Sequence, residues 1–297
     1  MNRKLGSKRK EALTGLLFIS PWLIGISIFT AYPIVASMIF SFSSYNGISS
    51  PVWIGLENFR DLFNDEIFLK SIYNTLFLAV IGIPITQFLS IITAVLLNME
   101  IKGQSIFRTL FFLPSIVPAV ASALLWKWIL NPEFGPVNLF LEKLGIPGPG
   151  WLTDPLWSKP SLIILSCWGI GGAMIIYLAG LQNIPKNLYE AAEIDGASKI
   201  KSFFKITLPM LKPVIIFNLV MGIISSFQVF TNVFIMTNGG PENSTEVYAL
   251  QIYRNAFQYY KMGYASAMSW ILLLITAFSV FLVFSVFKNW GFYGGDI

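Results

Sequence analysis

The chain has 297 residues, of which 55% are hydrophobic and only 12% are charged, with a formal net charge of +5. Soluble proteins carry about twice that share of charged residues, so this composition excludes an ordinary water-soluble globular protein. The small basic excess is explained by the distribution of Lys and Arg among loops beside a membrane, and it gives no indication of a nucleic-acid partner.

Long segments without Asp, Glu, Lys or Arg divide the chain into apolar stretches. A helix needs about 20 predominantly apolar residues to cross the hydrocarbon core of a bilayer. The stretches are continuous rather than alternating, which favours helices over a transmembrane β-barrel. We therefore predict an all-α, polytopic membrane helix bundle that forms a single domain over residues 1–297. The predicted spans are about 14–41, 72–97, 109–130, 161–182, 213–236 and 266–287.

The N-terminal segment is basic, and the apolar run that follows it is longer than the core of a signal peptide, so we predict a retained first span. Most of the 20 basic residues lie at the N-terminus and in loops 98–108 and 183–212, which would share one side of the membrane. The positive-inside rule assigns that side, with both termini, to the cytoplasm.

Residues suited to covalent chemistry or metal binding are scarce. The chain has no His and one Cys, Cys167, which falls in the fourth span and is predicted to be a small packing residue. The sequence contains no Ser/His pair, no H-E-x-x-H motif and no G-x-x-x-x-G-K-[ST] nucleotide loop. We therefore expect no catalytic residue, no metal site and no cofactor bound by this chain.

The loop at 185–212, between the fourth and fifth spans, has a pattern of its own. It predicts two short helices, because Pro185 suits the first turn of a helix and Gly196 suits the left-handed position that ends one. Ala191 and Ala192 give the first helix a surface of small side chains. The second helix has an apolar face made of Ile200, Phe203, Phe204, Ile206 and Leu208.

The order E-A-A, three residues to Gly and then I-x-L-P resembles the cytoplasmic loop of permease subunits in bacterial binding-protein-dependent ABC importers. The chain is similar to the larger permease of maltose transporters, but it has neither the extra N-terminal spans nor the large outer domain of that subunit. It looks more like the six-span permeases of oligosaccharide and glycerol-phosphate importers. Further motifs of the carbohydrate branch are Ser20-Pro21-Trp22, the run 53–59, Asn74-Thr75, Phe112-Leu113-Pro114, Gly239-Gly240-Pro241 and Gly263-Tyr264-Ala265-Ser266.

The resemblance implies a bacterial cytoplasmic (inner) membrane protein that pairs with a second homologous permease subunit and two ATPase subunits. ATP and magnesium would be bound by the ATPase, and an extracytoplasmic sugar-binding protein would deliver a carbohydrate, which we expect to be an oligosaccharide. A secondary transporter or channel for a neutral polar solute is the alternative if the loop pattern is a coincidence. The loop residues expected to couple to the ATPase are Glu190, Ala191, Ala192, Asp195, Gly196, Ala197, Phe203, Ile206, Leu208 and Pro209.

Polar residues recur at steps of three and four along the fifth span, so they share one face of a helix. We predict that this face lines the path of a sugar, because sugar hydroxyls need hydrogen bonds and sugar C–H faces pack on aromatic rings. The alternative is that these polar groups hold neighbouring helices together. The candidate pathway residues are Asn218, Met221, Ser225, Gln228 and Asn232 of the fifth span, with Trp168 and Tyr177 of the fourth.

Overall fold

In the computed structural model, which describes residues 2–99 and 102–288, nearly all regular structure is helical. The sheet within these residues is a two-stranded antiparallel ribbon of β1 (Ser43–Ser44) and β2 (Val52–Trp53), so the all-α prediction is confirmed. The helices are α1 (Asn2–Ile26), α2 (Tyr32–Ser41), α3 (Glu57–Asn64), α4 (Glu66–Asn98), α5 (Gln104–Ile116), α6 (Ala119–Ile129), α7 (Pro136–Lys143), α8 (Pro155–Trp168), α9 (Gly171–Gln182), α10 (Lys186–Ile194), α11 (Lys199–Ser202), α12 (Leu208–Met210), α13 (Lys212–Phe227), α14 (Thr231–Met236), α15 (Tyr248–Tyr253) and α16 (Met262–Lys288). Short π-helical turns occupy Ser27–Ala31, Phe203–Thr207 and Arg254–Gln258.

Three helical segments are each long and apolar enough to cross a membrane: Lys10–Ser41, Glu66–Asn98 and Met262–Phe287. Three bent segments qualify if each is counted as one span: α5 with α6, α8 with α9, and α11–α12 with α13, which bend by 99°, 47° and 65°. By length and composition, the described chain therefore holds three to six spanning segments. The count of six spans stays a prediction.

Three of the predicted spans are broken in the structure, and one of them is 161–182, where α8 ends at Trp168 and α9 begins at Gly171. Within 109–130, α5 ends at Ile116 and α6 begins at Ala119, because Val117 is extended, as expected for the residue before a proline. Within 213–236, α13 ends at Phe227 and α14 begins three residues after Gln228. Hydrophobicity alone therefore located the apolar segments but gave no sign of these bends.

The chain divides into two compact units. One contains the residues up to Asn64 together with Ile252–Ile271, and the other contains Asp65–Gln251 with the chain from Leu272 onward. In the second unit, α4 packs against α8, α9 and α13, while α6 packs against α14. These packed helices form the framework of the candidate site, which lies entirely within the second unit.

Two motifs of the sequence meet in the first unit. The Asn58 side chain donates Nδ2–H bonds to the carbonyl oxygens of Ser41 and Ser43 at 2.9 and 3.0 Å, which holds α3 against β1. The Gly263 N–H donates to the Tyr45 carbonyl at 3.0 Å, and a Cβ at Gly263 would collide with the Ser43 carbonyl. The hydrogen bonds of Asn58 and the close packing at Gly263 therefore explain why these two motif positions are Asn and Gly.

Two further motifs meet in the second unit. The buried Asn74 amide donates to the carbonyl oxygens of Asn243 and Glu246, both at 2.9 Å. The neighbouring Thr75 hydroxyl accepts a hydrogen bond from the Tyr248 backbone N–H, also at 2.9 Å. The Asn74-Thr75 pair therefore anchors the loop that follows Gly239-Gly240-Pro241.

Candidate functional site

The second unit encloses a cavity of about 520 Å³ between α4, α8, α9, α13 and α14. Most of its wall is aliphatic or glycine, and the polar part consists only of hydroxyl and amide groups. Among the described residues, those that line the cavity carry no ionisable side chain. The polar lining residues are Thr86, Gln87, Ser90, Ser166, Asn218, Ser225, Ser226 and Asn232.

The polar face predicted on the fifth span lines this cavity over most of its length: Asn218, Met221, Ser225 and Asn232 are all part of the wall. Gln228 departs from the prediction, because it is exposed and lies outside the lining. The physical reason is the end of α13 at Phe227, after which the helical register on which the prediction rested no longer applies.

The two aromatic residues predicted on the fourth span lie outside the cavity lining. The Trp168 indole packs edge-to-face on Trp126, with ring centroids 6.1 Å apart. Tyr177 is fully buried, and its hydroxyl donates to Gln87 Oε1 at 2.6 Å. Neither ring is therefore part of this cavity wall, and their role in sugar stacking stays a prediction.

Gln87 is one of the polar lining residues that the sequence analysis missed, together with Thr86, Ser90, Ser166 and Ser226. Its Oε1 accepts the Tyr177 hydroxyl, and its Nε2 donates to the Asn218 backbone carbonyl at 3.2 Å. The side chain thereby connects α4, α9 and α13. The signal in the sequence was the polar group Thr86, Gln87 and Ser90, which interrupts an otherwise apolar second span.

Asn232 differs from Gln87 in its hydrogen bonding. Its Oδ1 is buried and has no hydrogen-bond partner in the described chain. Burying an acceptor without a partner costs about 1–3 kcal/mol, and buried polar atoms normally find a protein or water partner. Within the described chain, this oxygen is therefore an acceptor that the packing leaves unsatisfied.

The loop 185–212 forms a second structural feature, with Gly196 at its bend. Gly196 has a φ of +71°, the left-handed conformation that the sequence predicted. Its N–H donates to the Glu193 carbonyl at 3.0 Å, and the Ala197 N–H donates to the Ala192 carbonyl at 2.8 Å. These two bonds make a Schellman motif, which ends α10 and turns the chain toward α11.

One side of this loop packs inward. The Tyr189 and Thr207 hydroxyls lie 2.8 Å apart and join the two arms of the loop. Tyr189 and Ile206 pack against a buried apolar cluster, hereafter the inner cluster. The inner cluster consists of Ala94, Leu97, Met174, Tyr177, Leu178, Leu181, Ile184 and Leu211. Ile206, which the resemblance suggested as a docking residue, therefore anchors the loop to its own chain.

The opposite side of the loop is exposed and apolar. Ile194, Ile200 and Phe204 are 87%, 73% and 60% exposed. The sequence analysis did not select Ile194, although an isoleucine directly before Asp195 and Gly196 at a helix end was a visible signal. Of the residues expected to couple, Glu190, Ala191, Asp195, Gly196 and Pro209 are exposed, while Ala192, Ala197, Phe203 and Leu208 are half-buried.

The family model described as "binding-protein-dependent transport system inner membrane component" matches residues 82–290, a range that includes the loop and every cavity-lining residue except Leu78. The chain belongs to this family. It is therefore an inner-membrane subunit of a binding-protein-dependent transport system, as the loop pattern predicted. The family is a transport component rather than an enzyme. Membership in it also argues against the alternative of a secondary transporter.

Close relatives match this family member over nearly their whole length. A probable ABC transporter permease protein of Bacillus subtilis is 43% identical, and the match covers 98% of this chain and 96% of the relative. A lactose transport system permease protein of Rhizobium radiobacter is 38% identical, with coverage of 93% and 95%. The chain is thus similar in extent as well as in sequence to complete permease subunits.

Solved structures agree with the family. A bacterial ABC transporter involved in the import of the acidic polysaccharide alginate contains a chain that matches with a TM-score of 0.84 and 26% identity. That match covers 97% of this family member and 99% of the solved chain. A second structure shows the alginate transporter in complex with a periplasmic protein that holds an alginate pentasaccharide, with a TM-score of 0.82. The predicted importer permease fold is confirmed.

Proposed function

We propose that this permease subunit carries a neutral oligosaccharide through the cavity in its second unit. The observation that carries the proposal is the chemistry of the wall, which offers hydroxyl and amide groups and, among the described residues, no ionisable side chain. Such groups match sugar hydroxyls in polarity. The cavity volume of about 520 Å³ lies within the range of about 300–1,000 Å³ that small-molecule sites occupy.

The Asn232 side chain supports a hydroxyl-bearing ligand, because it belongs to a wall residue and an amide can both donate to and accept from sugar hydroxyls. The lactose permease relative provides independent support for a neutral sugar. The alginate importer provides the contrast, since its named substrate is acidic. An acidic sugar would enter a cavity whose described lining has no cation to balance its charge.

The loop 185–212 is the proposed docking site for an ATPase, which would bind ATP and magnesium in place of this chain. Its exposed isoleucines and phenylalanine form an apolar surface of the kind that protein interfaces bury. This assignment puts the loop and both termini in the cytoplasm, in agreement with the distribution of basic residues. A second permease subunit, a second ATPase and an extracytoplasmic sugar-binding protein would complete the importer.

Uptake in cells tests this function. A strain that lacks the chain is compared with the same strain complemented with the wild-type chain, using labelled neutral di- to tetrasaccharides and a matched set of oligouronates. We expect uptake of at least one neutral oligosaccharide to depend on the chain and on cellular ATP. Uptake that depends on the chain only for oligouronates, or for no sugar, would overturn the proposal.

A further inference from the structure

The buried hydrogen bond between Tyr177 and Gln87 joins two parts of the second unit that otherwise have different roles. Gln87 forms part of the cavity wall, whereas Tyr177 lies outside the lining. The hydroxyl-to-amide distance of 2.6 Å indicates a short, well-formed bond. Tyr177 is fully buried, whereas Gln87 is half-buried beside the cavity.

On the side away from the cavity, the Tyr177 ring belongs to the inner cluster. Tyr189 and Ile206 from the two arms of the loop 185–212 pack against the same cluster. Leu211, which is fully buried, continues it to the start of α13. A continuous set of packed side chains therefore leads from the inner side of the loop to the Tyr177 hydroxyl.

On the cavity side, the second end of the Gln87 amide is also held. Its Nε2 donates to the Asn218 carbonyl at 3.2 Å, and Asn218 is itself part of the wall. A displacement of Tyr177 therefore moves the Gln87 amide, which is part of the wall on α4. It also changes the hydrogen bond of that amide to Asn218 on α13. A hydrogen bond has a preferred direction, so it transmits such a displacement more specifically than apolar packing does.

We propose that Gln87 and the Tyr177 hydroxyl are positioning residues that link movement of the loop to rearrangement of the cavity. This proposal rests on the importer function proposed above. When a partner displaces the loop, the inner cluster moves with it, and the Tyr177–Gln87 bond carries the movement to the wall. Without the hydroxyl, the cluster keeps its packing but the wall no longer follows.

The test uses a thiol in the cavity, so it does not require the identity of the sugar. Ser225→Cys, which lies in the wall, is introduced into the Cys167→Ala background and labelled with a soluble maleimide in the complex that co-purifies with the tagged chain. Labelling rates are compared without nucleotide and after trapping with ATP and vanadate. ATP hydrolysis is measured on the same samples.

We expect Tyr177→Phe to keep ATP hydrolysis while the nucleotide-dependent change in Ser225→Cys labelling falls roughly 2- to 30-fold, the range typical of residues that carry coupling between sites. Gln87→Met should reduce the labelling response by a similar factor, and the double variant should respond no less than either single one, because both substitutions remove the same interaction. Tyr32→Phe is the matched control, since it removes the same hydroxyl from an exposed ring in the first unit.

Three outcomes overturn the inference: an unchanged labelling response in Tyr177→Phe, an equal fall in labelling response and ATP hydrolysis, or additive losses in the double variant. An equal fall would mean that the bond only stabilises the fold. Failure of the proposed function looks different, because the Ser225→Cys reporter with Tyr177 intact would then show no nucleotide response or would recover no ATPase.

Discussion

The exposed apolar side of the loop 185–212 and the wall of the cavity differ in their polar groups. The loop presents aliphatic and aromatic side chains whose positions are set by a backbone motif at Gly196. The wall presents hydroxyls and amides, and Gln87 among them is already bonded to other helices. An apolar surface of this kind is removed from water only while a partner stays bound to it. A mostly aliphatic cavity with a few hydroxyl and amide groups suits a ligand that must also leave.

This contrast predicts different responses to substitution. A change on the exposed side of the loop should act on assembly and remove transport altogether, since every turnover needs the docked ATPase. A change in the wall should act on one ligand contact among several, so its effect should be graded. Matched positions elsewhere in the chain separate both effects from general loss of stability.

The largest expected effect is that of Gly196→Trp. A non-glycine residue in the left-handed conformation costs about 1–2 kcal/mol, and a Cβ at Gly196 meets nothing of its own chain within 4 Å. The protein should therefore reach the membrane in normal amount, while the indole blocks the docking surface and abolishes recovery of the ATPase on pull-down. Membrane abundance and ATPase recovery are the measurements.

Gly145→Trp is the control for that variant. Gly145 follows α7 with a φ of +73°, has no neighbour within 4 Å of a Cβ, and ends its helix with the same pair of backbone hydrogen bonds. Gly145→Trp should lose as much stability as Gly196→Trp, but it should still recover the ATPase on pull-down. Equal recovery of the ATPase with both variants would remove Gly196 from the docking surface.

An intermediate effect is expected for Ile194→Ser. Full burial of an isoleucine side chain is worth about 1.5–3 kcal/mol, which corresponds to roughly 10- to 150-fold in affinity for the ATPase. Titration of the purified membrane complex with the ATPase measures this loss. Ile48→Ser changes an equally exposed isoleucine, 85% against 87%, in the first unit and should have no effect. A similar affinity for both variants would mean that Ile194 remains exposed in the importer.

The smallest effect is expected in the cavity wall, where two residues predicted to share one helix face should respond differently. Asn232→Leu removes a cavity acceptor and should raise the half-saturating sugar concentration about 2- to 12-fold, since one hydrogen bond is worth about 0.5–1.5 kcal/mol. Gln228→Leu changes an exposed residue outside the lining and should leave uptake unchanged. Concentration dependence of uptake decides between them. The reverse order of sensitivity would show that the ligand path follows the break after Phe227 and not the cavity.

The sequence predicted those features that depend on local chemistry. Apolar runs located the spanning segments, and the glycine in the loop was assigned its left-handed conformation because few other residues adopt it. Of the five residues that this reasoning selected on the fifth span, four line the cavity, and three of these, Asn218, Met221 and Ser225, lie within one regular helix.

Features that depend on tertiary packing were not accessible in this way. The end of α13 at Phe227 displaced Gln228 from the predicted face. Gln87 acquires its role only when α9 and α13 bring Tyr177 and Asn218 to it from about 90 and 131 positions away in the chain. Periodicity along one helix carries no information on which helices become its neighbours.

Cysteine accessibility tests the central claim most directly, because it locates the loop and identifies what covers it. Ile194→Cys and Asn243→Cys are introduced separately into the Cys167→Ala background and treated with a membrane-impermeant maleimide in intact cells. We predict labelling at Asn243→Cys but not at Ile194→Cys, and a photo-crosslinker attached to Ile194→Cys in inverted membrane vesicles should capture an ATPase subunit. Labelling of Ile194→Cys from outside, or its failure to crosslink any ATPase in a complex active in transport, would contradict the account.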